Sequence, residues 1–291
     1  MTAGQVAFNV AVVVLLSVLA ALGGIEYFRR FRLARPAVGA FNGGDIAVMM
    51  GFVVVLPFAY LALPSWALPA TLGLVFFGGL AVGYEPVVRR VWLRRGLILG
   101  LLAADAVAAI GVSAGWFAPA WYWLPNSLLI LLIVVSAANL SAQGGLHLRH
   151  AAAFALALAV YDAFFATVVP LTQQLADAIA GYAFAPSAGM SIGSYTSWIG
   201  MGDLLVYALY ATIAYKAYGR TGAWVALGLI VVFGALVPAL TPAVVQAMTG
   251  SPPTLIPAQI FFGPAGYLGY LALRRTGPER KMIDILAAAP A

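Results

Sequence analysis

Residues Ala151 to Leu171 read AAAFALALAVYDAFFATVVPL, an apolar run with one charged side chain, Asp162. A run of about 20 apolar residues is what a single helix needs to cross a hydrocarbon core. Comparable runs recur on both sides, near Val6 to Ile25, Ile46 to Leu63, Ala67 to Tyr84, Leu97 to Phe117 and Leu124 to Ser141, then Thr196 to Tyr218, Ala223 to Val245 and Leu255 to Leu273. The chain is 64% hydrophobic and 8% charged, against about a quarter charged in a soluble domain. Strict alternation of polar and apolar residues, the mark of a membrane β-barrel, is absent. These features predict an all-α polytopic membrane protein with nine transmembrane helices, folded as one transmembrane domain over residues 1–291. No internal repeat interrupts it, and the only biased tail is the Ala-rich end.

The net charge of +6 would suggest nucleic acid in a soluble protein, but its distribution points elsewhere. Arg29, Arg30, Arg32 and Arg35 follow the first run, Arg89, Arg90, Arg94 and Arg95 the third, and Arg149 the fifth. Lys216 and Arg220 follow the seventh, and Arg274, Arg275, Arg280 and Lys281 the ninth. These are all 15 basic residues, and the intervening loops have none. By the positive-inside rule the amino terminus is expected outside and the carboxyl terminus in the cytoplasm. The first run has no basic residue before it and arginines after it, so it reads as an anchor rather than a signal peptide. The longest connection, about 172 to 195, lacks basic residues and faces outside.

There is no cysteine, which excludes disulfides, thiolate nucleophiles and thiolate metal sites. Glu26, Asp45 and Glu85 sit near helix ends, where water or arginine reaches them. Asp105, Asp162 and Asp203 lie within helices. An ionised carboxylate at the bilayer centre costs about 2.5 to 3.5 kcal/mol or more, and no Lys or Arg is expected inside a span to compensate. Such groups are protonated and hydrogen-bonded, share a proton, or line a watery cavity. Asp162 lies before the outer end of helix 6 and Asp203 after the outer start of helix 7, each roughly 10 to 12 Å deep. Two carboxyl groups brought together at one depth cannot both ionise easily, so a general base stands beside a general acid. Such a pair hydrolyses an amide without a metal or cofactor, the base activating water and the acid protonating the carbonyl.

Asp162 stands in Tyr161-Asp162, and Asp203 closes Gly200-Met201-Gly202-Asp203. In these residues the chain resembles the presenilin and signal peptide peptidase family, which has a YD motif on helix 6, a GxGD motif on helix 7 and a PAL motif at the start of helix 9. The resemblance implies an intramembrane aspartyl protease with a nine-helix plan, helices 1–5 (residues 1–145) as scaffold and helices 6–9 (residues 146–291) carrying catalysis. It implies Asp162 and Asp203 as the catalytic dyad, with the charge distribution matching the signal peptide peptidase branch. Partners would be the lipid bilayer and single transmembrane helical peptides whose amino termini lie in the cytoplasm, such as signal peptides; no nucleic acid is expected. The glycines allow close approach of a helix or an extended substrate to Asp203.

The third motif departs from the family pattern. Pro238-Ala239-Leu240 spells PAL, but it follows Asp203 so closely that it falls near the outer end of helix 8. Pro253-Thr254-Leu255 stands immediately before helix 9, followed by Ile256-Pro257-Ala258, and is the better placed of the two. Prolines there would leave backbone groups free for an extended substrate. Two other functions fit the same acids: a proton-coupled transporter with broken helices at a midplane site, and a non-catalytic protein that binds helices in the same groove.

Other motifs carry less. Gly111-Val112-Ser113-Ala114-Gly115 matches a nucleophile pattern but lies in helix 4 with no intramembrane histidine as base. His147 and His150 lack further ligands, which argues against a metalloprotease. Gly79 to Gly83 forms a GxxxG, read as helix packing. Asp105, outside the motifs, reads as a buried hydrogen-bonded acid.

Overall fold

The computed structural model describes residues 2–33, 43–64, 66–167, 182–250, 257–280, 282 and 285. Helices α1 (Ala3–Arg30), α2 (Gly43–Ala62), α3 (Ala67–Gly83), α4 (Val91–Ser113), α5 (Pro119–Gln143) and α6 (Leu148–Thr167) come first. A hairpin of β1 (Ser187–Ile192) and β2 (Tyr195–Gly200) then leads into the helical run Met201–Leu229. The run continues through a π-helical stretch, Ile230–Leu236, into Val237–Thr249, and the last helix is Gln259–Arg274.

A straight helix from Met201 to Thr249 would be about 70 Å long, more than twice a bilayer core. It is not straight. Gly219 adopts φ 66° and ψ −142°, a conformation that is cheap only without a Cβ. The Tyr207 hydroxyl donates to the Gly234 carbonyl at 2.7 Å across 27 positions of sequence, which one helix would separate by about 40 Å. A Cβ on Gly222 would overlap the Ala214 backbone. The chain therefore folds back at Gly219 into two antiparallel limbs, α7 (201–218) and α8 (220–249), and Gln259–Arg274 is α9. Among the described residues this makes nine helices and one hairpin. Six helical runs are long and apolar enough to cross a membrane, with Met201–Thr249 as one of them. Phe52, Val55, Leu74, Trp92, Leu97 and Val107 are each more than half exposed, an apolar exterior suited to lipid. The chain is an all-α, multi-pass integral membrane protein.

α7 is the enclosed helix. Leu204, Tyr207, Ala208, Tyr210, Ala211 and Ile213 are fully buried, largely against α1, α5 and α9. Small residues allow this approach: a Cβ on Gly24 of α1 would overlap Thr212 Oγ1, and the Asn139 amide of α5 donates to the Gly24 carbonyl at 3.1 Å. Such close backbones favour helix association in lipid. The GxxxG of α3 works the same way against α5, where Ser136 Oγ donates to the Gly79 carbonyl at 2.8 Å.

Two sequence expectations change. Residues 196–200, expected to begin helix 7, form β2, paired antiparallel from Ser187↔Gly200 to Ile192↔Tyr195. Gly193, with φ 59°, takes the first place of the two-residue turn, the place that favours glycine. Aromatic and β-branched residues alternate in Tyr195-Thr196-Ser197-Trp198-Ile199, which suits a strand. Polar side chains of α5 supply the partners that a membrane would not. Asn126 donates to Ala185 and Ser187 carbonyls at 3.2 and 2.6 Å, and Ser127 Oγ exchanges hydrogen bonds of 2.8 Å with both Gly189 backbone groups. Second, Lys216 is not in a loop. It is buried in α7, its Nζ donating to the Ala142 carbonyl at 3.0 Å and to Leu146, a cation at the carboxyl end of α5 where the helix dipole favours it.

Candidate active site

The level of Lys216 on α7 and Leu146 before α6 is fixed by their hydrogen bond. Counting from there, Asp203 lies about 20 Å along α7 and Asp162 about 24 Å along α6 and its lead-in. The two acids thus lie at similar levels along their helices, although Asp203 stands in the first turn of α7 rather than two turns inside it. The levels are similar because both helices are aligned at their other ends. Their helices pack against each other, and both acids are half-buried.

Asp203 is held from a direction the motifs do not indicate. Gln259, the first residue of α9 and 3% exposed, donates Nε2–H to Asp203 Oδ1 at 2.9 Å. Its Oε1 is buried without a hydrogen-bond partner among the described residues. α9 reaches this position because it lies in the groove between α6 and α7. On one side a Cβ at Gly263 would stand 2.5 Å from the Ala155 carbonyl oxygen and 2.6 Å from Ala159 Cβ. On the other, Phe262 packs edge-on against Tyr207 and Tyr210 at 5.0 and 5.4 Å, and the Tyr210 hydroxyl donates to the Gly266 carbonyl at 2.6 Å. Below the acids Tyr207 is within electrostatic range of both.

The GxGD residues divide their work. Gly200 ends β2 and caps α7, and a Cβ there would lie 3.6 Å from Asp203 Oδ2, an ordinary contact. Met201 N–H donates to the Pro186 carbonyl at 2.8 Å, which ties the start of α7 to the hairpin. Gly202 is exposed, and a Cβ there would meet nothing within 4 Å. Among the described residues the space beside Gly202 is open, and helix packing does not use this glycine. Tyr161 turns along its own helix onto Phe165, with ring centroids 4.5 Å apart; Phe165 in turn meets Phe58 of α2 at 6.1 Å.

The remaining candidates fall away from this centre. Pro238 and Ala239 are buried inside α8, with the Ala239 carbonyl taken by Asn9 of α1 at 3.1 Å, and Leu240 is exposed. Pro253, Thr254 and Leu255 lie outside the described residues. Asp105 is buried in α4 and accepts the Phe184 N–H at 2.7 Å; it secures the entrance to the hairpin. Ser113 Oγ donates to Ile110 within its own helix at 2.9 Å, and His147 meets Glu279 at 3.2 Å at the basic end of the bundle. Gln259 carries no charge and belongs to none of the three motifs; an uncharged amide opening an apolar span, directly after Pro257-Ala258, is its signal in the sequence. Comparison with known protein families and with curated proteins finds no match for the chain.

Proposed function

We propose that the chain is an intramembrane aspartyl protease of the presenilin and signal peptide peptidase type, with Asp162 and Asp203 as its dyad. The observation that carries this reading is the placement of the two acids at a similar level on packed neighbouring helices, with Gln259 donating to Asp203 and, among the described residues, open space beside Gly202. A pair of carboxyl groups in such surroundings shares one proton. The ionised partner takes a proton from water, whose oxygen attacks the peptide carbonyl carbon, while the protonated partner donates to the carbonyl oxygen. Collapse of the tetrahedral species breaks the C–N bond and delivers a proton to the leaving nitrogen. No covalent enzyme intermediate forms, and no metal or cofactor is needed.

The nine helices are proposed to be nine spans, with the amino terminus outside and the basic end of the bundle, including the carboxyl terminus, in the cytoplasm. Substrates are single transmembrane helices with cytoplasmic amino termini, signal peptides among them, opened locally where Gly or Pro weakens the helix. The deciding experiment incubates purified protein with a model signal peptide and identifies products by mass spectrometry. Cleavage within the apolar segment, lost in Asp162→Asn and in Asp203→Asn, is the expected result; an uncleaved peptide with intact protein refutes it. Reporter fusions at residues 89–95 and 172–195 test the orientation, and finding both loops on one side refutes it.

A further inference from the structure

At the basic end of the bundle, remote from the aspartates, α1, α7 and the residues Arg280 and Ile285 beyond α9 line a cavity of about 170 Å³. Arg29, Arg32, Lys216 and Arg280 line it, with the rings of Phe28 and Tyr215. Arg29 is paired with Glu26 at 2.7 Å. Among the described residues, the hydrogen bonds of the other three cations go to carbonyl groups. Arg32 donates to Phe28 and Phe31 and lies 4.8 Å over the Phe28 ring. Lys216 donates to Ala142 and Leu146, and Arg280 to Tyr215 at 2.8 Å and Ala217 at 3.4 Å.

Carbonyl dipoles orient these groups, and among the described residues no carboxylate forms an ion pair with them; Glu279 acts on Lys216 only at a distance. The described acids nearby are engaged elsewhere. Glu26 is shared by Arg29 and Arg30. Glu279, beside Arg280 in sequence, accepts the Leu148 and Arg149 N–H groups at 3.1 and 3.3 Å, meets His147, and lines a different cavity. Orientation by positive charge requires only that arginines sit in loops. It does not account for three cations converging on one cavity, since charges held together away from water are costly without a counter-charge.

We propose that this cavity binds a phosphate group, from the headgroup of an anionic phospholipid or as the free ion. Guanidinium forks bind phosphate oxygens two at a time, and a lysine adds a point charge. Basic pockets between transmembrane helices are suited to lipid headgroups, and Phe28 and Ile285 give the cavity an apolar side.

The test titrates purified protein in neutral detergent with dihexanoyl phosphatidylglycerol and, separately, with inorganic phosphate, reading native mass spectra and melting temperature at low salt. One bound molecule per chain is expected, weakened about tenfold or more in Arg32→Gln and in Arg280→Gln. Arg280→Lys, which keeps the charge without the fork, binds between wild type and Arg280→Gln and controls for folding; Arg89→Gln, outside the cavity, leaves binding unchanged. Binding of phosphatidylglycerol alone assigns the site to a lipid headgroup, and equal binding of phosphate assigns it to the free ion. The proposal is overturned if neither probe binds, or if Arg89→Gln weakens binding as much as the cavity variants do. It is also overturned if binding appears only in Asp284→Asn, which would make that acid, outside the described residues, the cavity's own counter-ion.

Discussion

Replacing Gln259 separates the geometry of the dyad from the stability of the bundle. In Gln259→Leu the amide that donates to Asp203 Oδ1 at 2.9 Å is lost, and the side chain keeps roughly its volume. A hydrogen bond to a charged group contributes about 1.5 to 3 kcal/mol. If that interaction holds Asp203 in reacting position, kcat/KM falls about 10- to 150-fold. Stability moves differently. The unpartnered Oε1 of Gln259 is a buried acceptor whose removal relieves about 1 to 3 kcal/mol, which offsets most of the lost bond. The variant should therefore melt near the wild-type temperature while cleaving a model signal peptide far more slowly. Gln259→Asn, one methylene shorter, should lose activity similarly and keep the unpaired amide. Peptide cleavage followed by mass spectrometry, beside thermal melting in the same detergent, reads both effects. Wild-type cleavage by Gln259→Leu, or a loss of activity that tracks a fall in melting temperature, would refute the reasoning.

Asp162→Asn and Asp203→Asn should each abolish cleavage in folded protein, whereas Asp105→Asn keeps an acceptor for the Phe184 N–H and should stay active; cleavage assays of the three decide it. Asn126→Leu strips donors from the Ala185 and Ser187 carbonyls, at about 1 to 3 kcal/mol per buried group left unpaired. Faster hydrogen exchange in residues 187–200 and a lower melting temperature are expected, and unchanged exchange would show that α5 does not hold the hairpin. For the third motif, Leu255→Arg should impair cleavage much more than Leu240→Arg, with expression matched; the reverse order would return the motif to α8.

The helices could be read from the sequence because lipid demands long apolar runs, and the two acids because an unpaired carboxylate in such a run needs a reason. The hairpin could not. Its alternating Thr, Trp and Ile satisfy a hydrophobicity window as well as a helix does, and what makes it a strand is Asn126, Ser127 and Asn9 on distant helices. Lys216 and Arg220 suggested a loop where Gly219 alone makes the turn, since a basic residue marks a helix end whether it lies in water or caps a neighbouring helix. Gln259 was hidden for a related reason: its role depends on α9 entering the groove between α6 and α7, through contacts at Gly263 and Phe262 that no local pattern encodes.

The single-residue turn at Gly219 also constrains how the protein is made. α7 alone would present to lipid the Tyr207 hydroxyl, whose partner is Gly234 on α8, and the Asp203 carboxyl, whose partner is Gln259 on α9. With no connector between them, α7 and α8 satisfy that hydroxyl only as a closed pair. A chain that stops between them leaves the hydroxyl without its acceptor in an apolar environment, and the carboxyl gains its partner only when α9 follows.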